Sequence, residues 1–255
     1  MKIVVIGGSG LVGEKLVDRL RQGDGSVLKA SPTHGVDTIT GEGLDQALQG
    51  ADVVVDVSNS PSLEGSAAIA FFEASSQRLL AAGLAAGVRH HIALSVVGTD
   101  RMQSSGYFRG KRIQEDLIRA SGIPFSILRS TQFFEFGGPI AEAASDGNTV
   151  RVPAGALIQP ILSRDVVTVL AEIALGRPQN RTLEVGGPEK FRFEEFIAHV
   201  LSGAHDRRKV VADPKARYFG TALDEESLVP GRGARLGQTR YDAWIATSQR
   251  VDSRV

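Results

Sequence analysis

Two hydrophobic periods alternate along the first half of the chain. Lys2 to Ile6 is a β-branched apolar run, short enough for a strand buried on both faces. Leu11, Leu16, Val17 and Leu20 then recur at helical spacing and predict a helix over Leu11–Leu20. Gly23-Asp24-Gly25 marks a turn, and Ser26 to Ala30 reads as a second strand. A short helix over Gly41–Gln49 leads to the apolar run Ala51–Val57, a third strand. A long Ala- and Leu-rich helix follows over Ala67–Gly87, then a strand over Val88–Val97, a helix over Tyr107–Ser121 and a strand near Ser126–Leu128. Such alternation predicts an α/β fold, with a doubly wound parallel sheet and right-handed crossovers.

After Gly138 the alternation is lost. Short helices are expected at Pro139–Ala144, Asp165–Leu175 and Phe193–Leu201, with a strand at Thr182–Val185. The stretch after Pro188 carries no clear period, and the polar tail from Thr247 is expected to fray. The expected division is a core over residues 1–135 and a smaller C-terminal lobe over 136–255. A strand near 182–186 returns from that lobe to the sheet.

Composition narrows the field. With 255 residues, 42% apolar content and zero formal net charge, the chain can bury a sizeable core and offers no overall basic footprint for nucleic acid. It has no cysteine, which removes disulfides, thiol nucleophiles and Cys-ligated zinc; no metal site is expected. The apolar run after Lys2 stops at glycine after one strand length, unlike a signal peptide, and no run is long enough to span a bilayer. A soluble, cytoplasmic protein with no membrane contact is the expectation, as a monomer or a homodimer.

The chemistry begins where the first strand breaks on Gly7-Gly-Ser-Gly-Leu-Val-Gly13 straight into a helix. Gly7 permits the tight turn, Gly10 lets backbone approach a pyrophosphate, and Gly13 lets helix and strand pack closely. The unpaired N–H groups of the first helical turn, with Ser9, Leu11 and Val12 around them, then face the anion. Dinucleotide binding follows from the strand–turn–helix context.

The tip of the second strand, Ala30-Ser31-Pro32-Thr33-His34, lacks the carboxylate that would bind the adenine ribose hydroxyls of NAD; Asp24 lies at the wrong end. Ser31 and Thr33 can donate to a 2′-phosphate, with charge from Lys29 or His34, so NADP(H) is expected over NAD(H). Ser58 and Asn59 follow the third strand at the carboxyl edge, where ligands of open α/β sheets bind. Turn chemistry is the rival role for Asn59. His90 and His91 precede the apolar part of their strand and are expected at the surface, away from that edge.

Ser95 lies near the end of the Val88–Val97 strand, and Tyr107 and Lys111 share one face of the next helix. An ammonium near a phenol lowers its pKa from about 10, so the pair could exchange a proton with a substrate oxygen that Ser95 also binds.

With these residues the chain resembles the short-chain dehydrogenase/reductase superfamily, in its atypical, NmrA-like NAD(P)H-binding branch. The carriers are the glycine loop, Leu94-Ser-Val-Val-Gly98, Tyr107-Phe-Arg-Gly-Lys111 and Ile127-Leu-Arg-Ser-Thr-Gln132, over roughly residues 1–190. The resemblance implies a Rossmann-type core with a small substrate lobe. It implies Tyr107 as acid/base, Ser95 orienting substrate, and Lys111 holding the nicotinamide ribose and tuning Tyr107. The loop from Thr131 through Gln132, Phe133 and Phe134 would wall the nicotinamide and substrate. The asparagine of the reductase tetrad has no clear counterpart.

Two functional classes follow. One is an NADP(H)-dependent oxidoreductase moving hydride to or from a small carbonyl, quinone-like or conjugated substrate. Phe133, Phe134 and Phe136 suggest an apolar or aromatic one, unless they only pack the lobe against the core. The alternative is a non-catalytic NAD(P)H-binding redox sensor.

Overall fold

The computed structural model describes residues 1–63 and 65–252. In chain order its first half comprises β1 (Lys2–Ile6), α1 (Leu11–Leu20), β2 (Ser26–Ala30), α2 (Leu44–Leu48), β3 (Val53–Asp56), α3 (Gly65–Ala85), β4 (His90–Val96), α4 (Gly106–Ala120) and β5 (Phe125–Ser130). Then come α5 (Gly137–Ala143), β6 (Ser145–Asp146), β7 (Thr149–Pro153), β8 (Leu157–Ile158), α6 (Ser163–Leu175) and β9 (Thr182–Gly186). The chain continues through β10 (Phe191–Arg192), α7 (Phe193–Gly203), β11 (Lys209–Asp213), β12 (Arg235–Leu236) and α8 (Tyr241–Asp252). The tail expected to fray from Thr247 is helical to Asp252; residues 253–255 lie outside the described residues.

Seven parallel strands form the main sheet, in the order β12-β9-β5-β4-β3-β1-β2. Alternate side chains of each strand serve opposite faces. Ile3, Val5, Val53, Val55 and Ile92 pack with Leu16 and Val17 of α1 and Val166 and Leu170 of α6. Val4, Ile6, Val54 and Ala93 pack on the other face with Leu44 and Leu48 of α2, Leu79 of α3 and Ile118 of α4. Each such aliphatic side chain stabilises the fold by about 1.5–3 kcal/mol on burial, which is why these runs are apolar at every position. The chain leaves β1 for β2 on one side and β3 on the other, so a crevice opens at the carboxyl ends of β1 and β3.

A third core holds the C-terminal lobe together: Phe108, Phe134, Ile140, Val150, Val152, Phe193, Phe196 and Tyr241 are buried in it. Two small sheets frame this lobe, β6-β7-β11 and β8-β10. The parallel pair β7–β11 joins segments some distance apart in sequence, and no local period announced it. Among the described residues no helix is long and apolar enough to cross a membrane.

His90 and His91 correct the sequence reading: each is only 2% exposed. They begin β4 in register with Val53 and Val54, in the middle of the sheet, so both faces are covered. His90 Nε2 pairs with Ser126 Oγ at 2.9 Å. Burial pushes both imidazoles down to about 4, aided at His90 by its neighbour and opposed at His91 by Asp56.

Candidate active site

The three glycines of the opening loop differ in what confines them. Gly7 has φ +76°, and a Cβ there would lie 2.7 Å from Ser58 N, so the loops after β1 and β3 are in backbone contact. A Cβ on Gly13 would meet Gly7 O at 2.2 Å, whereas one on Gly10 would find nothing closer than Gly7 O at 3.4 Å. Gly13 is thus required by the packing of α1 on its own loop, whereas a Cβ on Gly10 would make only an ordinary contact. No side chain caps α1, whose first turn is left able to receive an anion. Val12 is buried in the core, while Leu11 is exposed.

Next to this loop, four side chains converge. Ser9 Oγ lies 2.6 Å from Ser31 Oγ, 3.1 Å from Thr33 Oγ1 and 3.2 Å from His34 Nδ1. Ser31 Oγ lies 3.0 Å from Thr33 Oγ1 and 2.8 Å from His34 Nδ1. Lys29 is not among them, because its ammonium pairs with Glu14 at 3.0 Å.

The loop after β3 meets the start of α4. The Tyr107 hydroxyl donates to Asn59 Oδ1 at 3.1 Å, giving the asparagine a partner that turn chemistry did not foresee. Asp56, at the end of β3, accepts from Ser58 N and from Gln114 Nε2, both at 2.9 Å. Ser58 Oγ, Thr131 Oγ1 and Gln132 Oε1 are buried without a hydrogen-bond partner. Buried polar atoms are normally satisfied, so three orphans after β3 and β5, beside an open glycine cradle, fit a bound dinucleotide. Thr131 and Gln132 are themselves nearly wholly buried.

Lys111 and Tyr107 do not form the expected couple. The Lys111 ammonium donates to Leu94 O and Gln114 Oε1, both at 3.0 Å, and stands 4.3 Å from the centre of the Phe72 ring. Burial pushes it down to about 8, against the pull of Asp56 and Glu115. Burial also raises the Tyr107 phenol above its ordinary value, with no cation offsetting it. The phenol is therefore held protonated, and the lowering expected from Lys111 is absent.

Ser95 is likewise committed: its hydroxyl donates to Glu115 Oε1 at 2.7 Å and is 3% exposed. Glu115 also receives two hydrogen bonds from Arg129, at 2.8 Å each, and one from Arg119 at 2.8 Å. Burial alone would raise the Glu115 carboxyl, but these donors hold it below the ordinary value. The helical spacing of Lys111, Gln114 and Glu115 on one face was a usable signal that went unread.

The phenylalanines divide. Phe134 is a core residue of the lobe, with ring contacts at 5.1 Å to Tyr241 and 5.5 Å to Trp244, and cannot wall a ligand as expected. Phe133 is half-buried against the sheet core, and Phe136 is exposed, 6.1 Å from it. Lys15 of α1 braces this segment, donating to Ser163 Oγ at 2.6 Å and pairing with Glu135 at 3.3 Å.

A family described as NAD(P)H-binding matches residues 7–172, more than half of the chain. The chain belongs to that family. It is 29% identical over 213 residues to a (4-alkanoyl-5-oxo-2,5-dihydrofuran-3-yl)methyl phosphate reductase of Streptomyces griseus, covering 78% of this chain and 72% of the relative. Among solved structures, a short-chain dehydrogenase/reductase superfamily protein from Agrobacterium tumefaciens with bound NAD superposes with TM-score 0.73 at 18% identity, over 100% of this chain and 99% of that one. A dTDP-4-dehydrorhamnose reductase from Bacillus anthracis in complex with NADP matches with TM-score 0.69 at 13% identity, over 98% and 99%. The expected NAD(P)H-binding domain is thereby borne out, and the solved structures bear out its Rossmann-type fold.

Proposed function

We propose that the protein reduces a small conjugated carbonyl compound with NADPH, and that Tyr107 supplies the proton. The observation that carries this reading is the Tyr107 hydroxyl donating to Asn59, next to Ser58, whose side-chain oxygen has no partner and whose backbone lies against Gly7 of the glycine loop. In this reading the main sheet and its helices, α6, β9 and β12 included, hold the cofactor, and the rest of residues 136–255 closes over the substrate. Gly7, Ser9, Gly10, Leu11, Val12 and Gly13 take the pyrophosphate. Ser31 with Ser9, Thr33 and His34 takes a 2′-phosphate. Ser58, Asn59 and Thr131 face the nicotinamide half. The bound cofactor supplies hydride.

The name of the Streptomyces reductase describes an unsaturated lactone whose C=C bond is conjugated to carbonyl groups. For such a substrate, hydride arriving at the β-carbon pushes the π electron pair towards the carbonyl oxygen. That oxygen would replace Asn59 as acceptor of the Tyr107 hydrogen bond. The Tyr107 O–H bond then breaks, its proton joins the enolate, and solvent returns a proton to the phenolate. The phenol holds this proton at neutral pH whether or not it is buried, and a hydrogen bond to the developing enolate is what would favour its transfer. Lys111, held by Leu94, Gln114 and Phe72, would act by keeping the α4 face and the ribose position in place; Ser95 would act through Glu115.

Tyr107→Phe keeps the ring and removes the proton. NADPH oxidation with a butenolide or quinone substrate should fall by about 10²–10⁴-fold while NADPH affinity, read by cofactor fluorescence, stays unchanged. Full turnover in this variant would refute the assignment of Tyr107.

A further inference from the structure

The turn after β2 carries a side chain that can change its charge. β1 and β2 run in register up to Ile6 and Ala30, and Gly8 N donates to Ala30 O at 3.0 Å. The glycine loop therefore lies beside the residues that follow β2. Pro32–His34 form a single 3₁₀ turn, closed by His34 N donating to Ser31 O at 2.8 Å. Proline fixes its own φ, and Gly35 leaves the turn at φ +71°, so the turn is held by its own backbone.

The polar atoms of Ser9, Ser31, Thr33 and His34 Nδ1 are in mutual contact. All six distances among these four atoms fall between 2.6 and 3.2 Å. The three hydroxyls carry one proton each and a neutral imidazole at most one more on Nδ1, too few for six hydrogen bonds. Such a group is open to a ligand that brings acceptors only. Ser31 is 5% exposed, whereas Ser9, Thr33 and His34 are exposed and can turn towards one.

The charged groups on the segments around the turn are Glu14 of α1, Lys29 of β2, Asp37 and Glu42 of the following loop, and Arg78 of α3, near Gly41. Lys29 is neutralised by Glu14 at 3.0 Å, and Asp37 accepts from Ile39 N at 2.7 Å. Among the described residues none of these groups forms an ion pair with His34. Within the cluster, only the imidazole can answer an anion with charge. A phosphate monoester is a dianion above its second pKa of about 6, and histidine is the side chain that changes charge between about pH 5 and 8. When such a dianion arrives, the imidazole gains the anionic partner that the protein itself does not give it, and opposite charge favours its protonated form.

We propose that His34 takes up a proton from solvent when the 2′-phosphate of NADPH binds, so that the preference for NADPH over NADH falls as pH rises. The inference rests on the placement of the 2′-phosphate given above. With Nδ1–H donating beside the three hydroxyls, the cluster offers four donors to the phosphate oxygens. Once the free imidazole is neutral, uptake of one proton makes NADPH affinity fall by up to about tenfold per pH unit, while NADH affinity stays level. Ionisation of the phosphate acts in the opposite direction, because its dianion is the better ligand and forms as pH rises.

Calorimetric titration at about pH 7.5, in two buffers of different ionisation heat, counts the protons bound with each cofactor. Wild type should take up most of one proton more with NADPH than with NADH, and His34→Gln should show no such difference. The NADPH dissociation constant should rise at least about fivefold between about pH 7 and 8.5 in wild type, and less than about twofold in His34→Gln. His34→Arg, a permanent cation, should bind NADPH at the upper pH at least as tightly as wild type, without proton uptake. A proton difference that persists in His34→Gln overturns the proposal. So does its absence from a wild type that still prefers NADPH, and in that case the placement of the 2′-phosphate stands. If instead NADPH and NADH bind alike at every pH, that placement fails and the inference falls with it.

Discussion

Gly106 and Gly65, which open α4 and α3, lie so close that a Cβ on Gly106 would stand 2.0 Å from the Gly65 Cα. This contact sets how near Tyr107 comes to the loop carrying Asn59. Gly106→Ala gains helix propensity, worth about 1 kcal/mol, but the clash is with backbone and cannot be relieved by a rotamer. Sterics should win. Expected are a melting temperature lowered by several degrees and turnover reduced at least tenfold; a more stable variant with full activity would show that α3 can shift freely.

The glycines of the opening loop should separate folding from binding. Gly10→Val places a side chain where a pyrophosphate approaches, with room for its Cβ in the protein itself. NADPH affinity should fall at least tenfold while thermal unfolding barely moves. Gly13→Ala should do the reverse, lowering the melting temperature first, because its Cβ meets Gly7 O at 2.2 Å. Similar unfolding behaviour in the two variants would count against this division.

Cofactor choice is testable at Ser31. A carboxylate there repels a 2′-phosphate and can accept from ribose hydroxyls, so Ser31→Asp should weaken NADPH and spare NADH. His34→Ala should weaken NADPH more than NADH, since His34 Nδ1 lies 2.8 Å from Ser31 Oγ. Equal effects on both cofactors, measured by titration, would remove Ser31 and His34 from the ribose.

Acid stability should report the two buried histidines. Their folded-state values of about 4 lie below the ordinary 6.5, so the unfolded chain binds more protons between those pH values. Stability from the neutral rings is complete above about pH 6.5 and drains as pH falls from there to about 4, by on the order of 3 kcal/mol per ring. Denaturant melts of wild type and His91→Gln across that range should show a shallower pH slope in the variant. Parallel slopes would mean His91 titrates like an exposed ring.

Local order is what made the sheet legible. Each strand from β1 to β5 and each following helix shows its own period, and the glycine loop sits where a strand stops. The lobe resisted reading because its contacts are non-local: β7 pairs with β11, and Phe134 is claimed by Tyr241 and Trp244 of α8. The tyrosine of the site was visible through its spacing to Lys111. Its contact with Asn59 was not, because it depends on how closely α3 and α4 approach. The hydrogen bond of Ser95 was hidden for the same reason: its partner Glu115 lies on the next helix, and the balancing Arg129 on another strand. Polar residues can be marked as unusual from sequence, but which of them satisfy one another is decided by packing.

Glu115 and Arg129 bind two positions into one heritable unit. Glu115 has no exposed side-chain surface and Arg129 is 9% exposed, so losing either deprives a buried charge of its doubly bonded partner, with only Arg119 left to Glu115, or Asp100 and Glu184 left to Arg129. A stranded buried charge costs about 3–5 kcal/mol, whereas replacing both partners by apolar residues of similar volume is often neutral. Any lineage that passes through Glu115→Leu alone, or Arg129→Met alone, would cross a valley of poorly folded protein. The two sites are free to drift only together, and Ser95, which would then lose its acceptor, must follow them.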